Sequence, residues 1–306
     1  MSRQFQVGDY KYEHIEEWCT FPDIGVVSDI ACDSQDRVYA CVRLKQGSVG
    51  NEGEIWVFDR DGTHIKSWGK SELEVPHGIW ISPNNDIFLT DSGDHTVTKY
   101  DIHGSILMTL GTKGKKGAEG MPFRSPTRAV LSASNEIFVS DGYQQNRCHR
   151  FTADGELILS WGKGDPVYYE QNHLGKVIGT PGTGPCEFNL PHDITIDSKD
   201  RAYVLDRGND RLQVFDNDGG FIEEWPDVPS GNDSVIDEND LIHIATGHSG
   251  IQIRTLTGAL VGIWGEKGEL AGQFSGFPHG IWIDSRGDVY VAQVGKQLAL
   301  DKFARI

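Results

Sequence analysis

The sequence has no long hydrophobic run: nowhere do apolar residues continue for the roughly 18 positions that a membrane-spanning helix requires. The first residues, MSRQFQVGDYKYEH, form neither the basic segment nor the apolar segment of a secretory signal. Cysteine is scarce, and the five present are odd in number and have no C-x-x-C spacing, which favours free thiols over a disulfide framework. These absences predict a cytoplasmic protein that has no membrane partner.

Positive charge is also in short supply. The chain has 28 Lys and Arg residues against 45 Asp and Glu residues, and its net charge of -17 repels the phosphates of nucleic acids. We therefore expect no nucleic-acid partner. The 306 residues are 38% hydrophobic and 24% charged, which is typical of a globular protein with a sizeable core.

Glycine is abundant, and the 37 glycines fall mostly in short polar clusters such as DRDG and DIHG between apolar runs. Such clusters are typical of turns between short strands. A unit of about four strands recurs along the chain, and three of its copies begin VPHGIWISPNNDIFLTD, LPHDITIDSKDRAYVLD and FPHGIWIDSRGDVYVAQ. No helical period of about 3.6 residues persists. The pattern predicts an all-β fold, a six-bladed β-propeller.

The six units form one predicted domain over residues 1–306. Their boundaries lie roughly at 24–72, 73–122, 123–185, 186–228, 229–272 and 273–306. The last unit lacks an outer strand, and YEHIEEW near the N-terminus matches FIEEW of the fourth unit, so we expect a strand at 10–18 to complete the last blade. The Gly and Pro residues of an insertion at 163–185 predict a long loop and candidate lid, with His173 as a candidate substrate contact.

One position of the repeat carries a distinctive set of residues. At the head of the innermost strand, the six blades hold Ser28, His77, Thr127, His192, Asp233 and His279. Because alternate blades of a six-bladed propeller are about 120° apart, we expect the three histidines to converge on the axis. Three neutral imidazoles and an open fourth position make a catalytic type of zinc site. The alternative is that these histidines are hydrogen-bonded structural residues, repeated by duplication.

The repeats resemble NHL repeats. In addition, VPHGI, VSDGYQQNR, LPHDI, VLDRGNDR and FPHGI together resemble the catalytic core of the peptidyl-α-hydroxyglycine α-amidating lyase family, over nearly the whole chain. The resemblance implies a six-bladed propeller in which zinc, bound by three histidines, activates the hydroxyl of an N-acyl-α-hydroxyglycine. Cleavage of the C–N bond then releases an amide and glyoxylate. The chain is therefore expected to be a zinc-dependent carbon–nitrogen lyase.

The resemblance also implies roles for individual residues. Carried over by position, the zinc ligands are His77, His192 and His279, and the catalytic residues are Tyr143, Arg207 and Arg43. A phenol becomes a useful base only when nearby cations stabilise its phenolate. A planar guanidinium suits both a phenolate and a substrate carboxylate. The expected partner is thus a small molecule with a hydroxyl and a carboxylate, while the oligomeric state stays open.

The sequence departs from that family at one metal position. Where the family has an aspartate that helps to hold a structural calcium ion, Gly280 follows His279 here. Asp29 and Asp193 occupy the same register in other blades, so a calcium ion remains an expectation without its usual side chain. The aspartates that end second strands, Asp91, Asp141 and Asp206, recur too regularly to indicate catalysis, and we expect them to stabilise turns together with Arg147 and Arg211.

Two other functions stay open. One is a metal-dependent propeller hydrolase or lactonase, although imidazole ligands favour zinc and later transition metals over calcium. The other is a non-catalytic NHL module that binds a protein partner, since the negative charge makes RNA binding improbable.

Overall fold

The structure is a computed structural model that describes residues 4–20, 25–44, 52–117, 122–162, 168–172, 175–178, 181–248, 250–270, 272–296 and 299–306. The chain divides into two compact units, one formed by Met1–Leu73 with Asn232–Ile306 and the other by Glu74–Gly231. Within the described ranges, no helix has the length and hydrophobicity that crossing a bilayer would need.

Nearly all regular structure is β-strand, grouped into blades. Before the first blade come β1 (Gln4–Val7) and β2 (Tyr10–Ile15). Blade one contains β3 (Gly25–Cys32), β4 (Val38–Leu44), β5 (Glu52–Phe58) and β6 (His64–Leu73). Blade two contains β7 (Pro76–Ile81), β8 (Ile87–Asp91), β9 (Thr96–Tyr100) and β10 (Ile106–Leu110). Blade three contains β11 (Arg128–Leu131), β12 (Ile137–Asp141), β13 (Arg147–Phe151) and β14 (Leu157–Trp161), and the hairpin β15 (Tyr168–Asn172) and β16 (Gly175–Ile178) follows it.

The remaining strands form three further blades. Blade four contains β17 (Pro191–Ile196), β18 (Ala202–Asp206), β19 (Arg211–Phe215) and β20 (Phe221–Trp225), with a 3-10 turn, Arg207–Asn209, after β18. Blade five contains β21 (Gly231–Ile236), β22 (Leu241–Thr246), β23 (Gly250–Thr255) and β24 (Leu260–Trp264). Blade six contains β25 (Phe277–Ile283), β26 (Val289–Val294) and β27 (Ala299–Arg305).

The N-terminal strands complete blade six. Strand β2 pairs antiparallel with β27, with Tyr12 opposite Arg305, and β1 adds a fifth strand outside β2. The predicted all-β class, the six-bladed β-propeller and its completion by an N-terminal strand are therefore confirmed. Strand β1 was not predicted, and β2 ends at Ile15 rather than at residue 18.

Every blade uses the same turn between its first two strands. In blade two, for example, the amide of Asn85 donates to the Ser82 oxygen at 2.8 Å, and Asn85 has φ +65°. Asp, Asn and Gly tolerate this left-handed conformation better than other residues. The left-handed residues of the six turns are Asp36, Asn85, Asn135, Asp200, Asp240 and Gly287. The polar clusters in the sequence are thus turns, as predicted.

The hydrophobic core lies between neighbouring blades. Between blades three and four, the buried side chains of Phe138, Trp161, Phe188 and Phe215 contact one another, and the rings of Trp161 and Phe215 lie 6.0 Å apart. Aromatic rings bury large apolar areas, so this packing fixes the two blades against each other. The heads of the strands, where the candidate site residues lie, are positioned by these contacts.

The insertion after blade three differs from the predicted loop. Its strands β15 and β16 pair as an antiparallel hairpin, so the expectation of a long loop is wrong for these two strands. Tyr, Val and Ile in YYEQN and KVI favour strand pairing, and this preference outweighs the flanking Gly and Pro residues. His173 lies outside the described residues. All five cysteines are free thiols, as expected.

Candidate metal and catalytic site

His77 is held in one orientation by the backbone of blade three. It is the second residue of β7, its side chain is buried, and its Nδ1 lies 2.9 Å from the backbone oxygen of Thr127. Since a carbonyl oxygen only accepts, Nδ1 must carry a proton. The hydroxyl of Thr90 donates to the same oxygen at 2.9 Å. In its neutral form, His77 therefore presents the lone pair of Nε2, and this is the form that binds metal ions.

His279 is oriented in the same way within the other unit. It is the third residue of β25 and is buried, and its Nδ1 lies 2.7 Å from the backbone oxygen of Ser28 in blade one. Ser28 and Thr127 occupy the same position in their respective repeats. One backbone position of the repeat thus fixes the tautomer of two candidate ligands.

His192 and Tyr143 lie next to His77 in the unit Glu74–Gly231. His192 is the second residue of β17 and is buried, and its ring centroid lies 4.8 Å from that of His77. The hydroxyl oxygen of Tyr143 lies 2.9 Å from Nε2 of His77 and 3.1 Å from Nε2 of His192. A residue taken from the SDGY motif is therefore in direct contact with two of the candidate ligands.

Gly142 allows the turn after β12 to bring Tyr143 into this position. A Cβ atom at residue 142 would lie 2.2 Å from the backbone oxygen of Pro191, so no larger residue fits there. In blade two, the corresponding turn folds back, and the amides of Gly93 and Asp94 donate to Asp91 Oδ1. In blade three, Oδ1 of Asp141 is buried and has no hydrogen-bond partner in the described structure. In the turn that carries Tyr143, the side-chain amide of Gln145 instead donates to the other oxygen, Oδ2 of Asp141, at 2.6 Å.

Two buried hydroxyls connect the backbones of His77 and His192. The Thr127 hydroxyl lies 2.8 Å from the Ser140 hydroxyl and 3.3 Å from the Pro191 oxygen. The Ser140 hydroxyl in turn donates to the backbone oxygen of His192 at 3.4 Å. Because the Thr127 carbonyl also orients His77, these hydroxyls couple both histidines. Sequence reasoning placed Thr127 at the strand head but missed this role, since only the strand register reveals it.

The two arginines implied by the family resemblance lie in different units. Arg207 follows β18, its amide donates to the Leu190 oxygen at 3.2 Å, and its Nε lies 3.4 Å from the Ser230 hydroxyl. It therefore lies at the same end of blade four as His192. Arg43 lies near the end of β4, opposite Val26, and its buried Nε has no hydrogen-bond partner in the described residues.

The position expected for calcium is closed by packing. A Cβ atom at Gly280 would lie 2.6 Å from Oδ1 and 2.7 Å from Cα of Asp29, so an aspartate cannot be accommodated there. Two buried carboxylates of strand heads in the same unit have protein partners: Asp29 accepts from the Ile30 amide at 2.8 Å, and Asp233 accepts from the Ile281 amide at 2.7 Å. The structural calcium ion stays a prediction.

The aspartates at the ends of second strands have structural contacts. Asp91 accepts from the amides of Glu74 and Val75 at 2.8 and 2.9 Å, and Asp206 accepts from Arg211 Nε at 2.8 Å. Burial raises the pKa of both carboxyl groups. These contacts support the interpretation that the aspartates stabilise turns.

The donor set suits a transition metal. Among the described His, Cys, Asp and Glu side chains, the buried His77, His192 and His279 are a set that can hold a metal ion. Neutral imidazoles with a fixed tautomer suit zinc and later transition metals, and they suit calcium poorly. The chemistry of these residues therefore fits the zinc ion that the resemblance implies.

Comparisons with known proteins agree with the repeat structure. Residues 188–215 match the NHL repeat model. NHL repeat-containing protein 3 of Homo sapiens is 31% identical over 294 residues, which cover 86% of this chain and 76% of that protein. The probable peptidyl-alpha-hydroxyglycine alpha-amidating lyase of Caenorhabditis elegans is 31% identical over 227 residues, covering 68% of this chain and 60% of that protein.

A solved structure supports the fold. A gluconolactonase from Xanthomonas campestris has a TM-score of 0.66 and 13% identity, with 98% of this chain and 91% of that chain covered. At this identity the likeness concerns the fold alone. Together with the repeated strand heads and the sequence matches, it leads to one conclusion: the chain belongs to the NHL-repeat family of β-propeller proteins.

Proposed function

We propose that the chain is a metal-dependent lyase that cleaves the C–N bond of an N-acyl-α-hydroxyglycine or a similar carbinolamide. The observation that carries the proposal is the position of the Tyr143 hydroxyl, 2.9 and 3.1 Å from the Nε2 atoms of His77 and His192. His77, His192 and His279 would hold zinc or another divalent transition ion. When bound, such an ion acts as a Lewis acid that makes a nearby hydroxyl more acidic.

Tyr143 is the proposed proton acceptor. It takes the proton of the substrate hydroxyl, and the electron pair of that O–H bond forms the carbonyl of glyoxylate. The C–N bond breaks, its electrons go to nitrogen, and nitrogen gains a proton to give the amide. Atoms and charge balance without water or an oxidant, as a lyase requires. The buried position of Tyr143 keeps bulk water away from this proton transfer.

Arginine is proposed to hold the carboxylate that becomes part of glyoxylate. Arg207 lies at the same end of blade four as His192, and a guanidinium binds a carboxylate through two parallel hydrogen bonds. Arg43 is the second candidate, because its buried Nε needs an acceptor that the described residues do not supply. Arginines at these positions would orient the hydroxyl towards Tyr143.

The name of a relative supports this choice over a binding module. The nematode relative is named a probable amidating lyase, whereas the human relative is named only for its repeats. The described contacts of Tyr143 give no comparable argument for a hydrolase or a lactonase. The cytoplasmic location and the small-molecule partner stay predictions.

The test combines metal analysis with an activity assay. Protein purified without added metal or a histidine tag is analysed for its elements, and glyoxylate release from α-hydroxyhippurate is measured. We expect about one zinc or similar ion per chain, and we expect His192→Ala to lose the metal and the activity together. His103→Ala, which changes an exposed histidine in a turn, is the matched control and should keep both. Full activity in His192→Ala, or glyoxylate release without any bound metal, would refute the proposal.

A further inference from the structure

Basic residues are concentrated in the segment between β10 and β11, which we call the basic segment (residues 112–124). Its sequence, TKGKKGAEGMPFR, has four basic residues and one acidic residue in a chain whose net charge is -17. Lys113 forms an ion pair with Asp94 at 3.0 Å. The structure shows no ion pair for Lys115, Lys116 or Arg124 with any described residue. Among the described residues, such a concentration of positive charge without an acidic partner is therefore unusual.

Two of these cations are held close together. The amide of Gly117 donates to the Phe123 oxygen at 2.9 Å and links the two described parts of the segment. The guanidinium of Arg124 lies over Gly117, because a Cβ atom there would be 3.1 Å from its Nη2. Burial and the nearby charge of Arg124 lower the pKa of Lys116. The two cations thus repel each other, and a bound anion would relieve this repulsion.

The basic segment is tied to the turn that carries Tyr143. The amide of Arg124 donates to Asp141 Oδ2 at 2.7 Å, at the start of that turn. The side-chain amide of Gln145, near its end, donates to the Pro122 oxygen at 2.8 Å. Contacts on both sides of Tyr143 therefore fix the position of Arg124. Arg124 therefore lies next to the turn that presents Tyr143 to the candidate site.

On the basis of the proposed function, we propose that Lys116 and Arg124 bind a second carboxylate, carried by the acyl part of the substrate. Arg207 and Arg43 account for the carboxylate next to the reacting carbon, so this further pair of cations requires a further anionic group. The acyl part is the portion of the substrate that extends away from the reacting carbon. The preferred substrates are therefore N-acyl-α-hydroxyglycines whose acyl group ends in a carboxylate.

Two unreactive analogues of equal length provide the test. N-succinylglycine ends in a carboxylate where N-butyrylglycine ends in a methyl group. Their binding to the metal-loaded protein is measured by isothermal titration calorimetry at low ionic strength. We expect the wild type to bind the succinyl compound about tenfold more tightly, because charge-assisted hydrogen bonds are strong. The preference should shrink as salt is added.

Variants locate the site. Lys116→Gln and Arg124→Gln should each reduce the preference, and the double variant should remove it. Lys199→Gln is the matched control, since it removes an exposed lysine from the turn between β17 and β18, and it should keep the preference. A thermal melt of each variant verifies that it folds. An unchanged preference in the double variant, or equal or absent binding of both analogues to the wild type, would overturn the inference.

Lyase activity is measured separately on the two corresponding α-hydroxyglycines. Glyoxylate release without a preference between the two analogues would leave the lyase standing and remove the second carboxylate site. A binding preference that depends on Lys116 and Arg124, without glyoxylate release, would retain the anion site and refute the lyase.

Discussion

The hydroxyl pair Thr127 and Ser140 should stabilise the protein and hold the candidate metal ligands in position. Both side chains are buried, and their oxygens lie 2.8 Å apart. Thr127→Val keeps the shape of the side chain but leaves the Ser140 hydroxyl without this partner. The Ser140 hydroxyl keeps its contact with the His192 oxygen, so the expected loss is that of one buried hydrogen bond, about 1 kcal/mol of unfolding free energy. Ser140→Ala removes the same bond, and the Thr127 hydroxyl keeps its contacts with the Ser140 and Pro191 backbone oxygens.

The double variant distinguishes this pair from two independent residues. The bond between the two hydroxyls is lost in either single variant but only once in the double variant, so the loss of the double variant should be smaller than the sum of the single losses by about 1 kcal/mol. Urea unfolding of the four proteins gives the cycle. Zinc affinity, measured by competition with a chelator, should fall by up to about 10-fold in Thr127→Val, because the carbonyl that orients His77 remains and only the hydroxyl that helps to position it is lost. Additive stability losses, with unchanged zinc affinity, would refute the coupling.

Three further predictions concern catalysis and pH. Tyr143→Phe should lower kcat for glyoxylate release by about 100-fold or more while metal content is unchanged, and near-normal kcat would exclude Tyr143 as the proton acceptor. Burial alone would raise the pKa of Asp237, but hydrogen bonds from His243 and Tyr10 outweigh it and lower the pKa to about 2. The stability that this carboxylate contributes is therefore present above about pH 4 and is lost as the pH falls towards 2. In urea unfolding, the unfolding free energy of Asp237→Asn should be lower than that of the wild type by about 1 kcal/mol at pH 6, and the difference should disappear near pH 2. Burial and the neighbouring Asp288 raise the pKa of Asp284 to about 6, so the charged form of Asp284 disfavours the native state above that pH. In thermal melts, Asp284→Asn should be more stable than the wild type by about 1 kcal/mol at pH 8 and no more stable at pH 4.

The architecture could be predicted from the sequence because the chain is built from repeats. A histidine following Pro at a strand head, as at His77 and His192, occupies a fixed place in its blade, so aligning the repeats predicts where its side chain lies. Turn residues such as Asn85 could likewise be recognised, because few residues tolerate a left-handed backbone. Periodic features were therefore predicted well.

Some features depend on contacts between residues at different positions of the repeat, and these features could not be predicted from the sequence. The reach of Tyr143 depends on the close approach of Gly142 to Pro191, which no periodic pattern encodes. Gly280 was recognised as a departure from the family, but its cause, the packing against Asp29, is visible only in three dimensions. The hairpin after blade three was missed because its Gly and Pro neighbours suggested a loop.

The pairing of β2 with β27 has a consequence for how the protein is made. During synthesis, β2 is made before β3 to β26, while its partner β27 is made after all of them. Until then, β2 has an open edge, and open strand edges favour association between chains. The long separation along the sequence also makes this pairing a slow step. Conditions that lengthen the time between the synthesis of β2 and that of β27 should therefore favour aggregation during synthesis, even for a variant whose native state is stable.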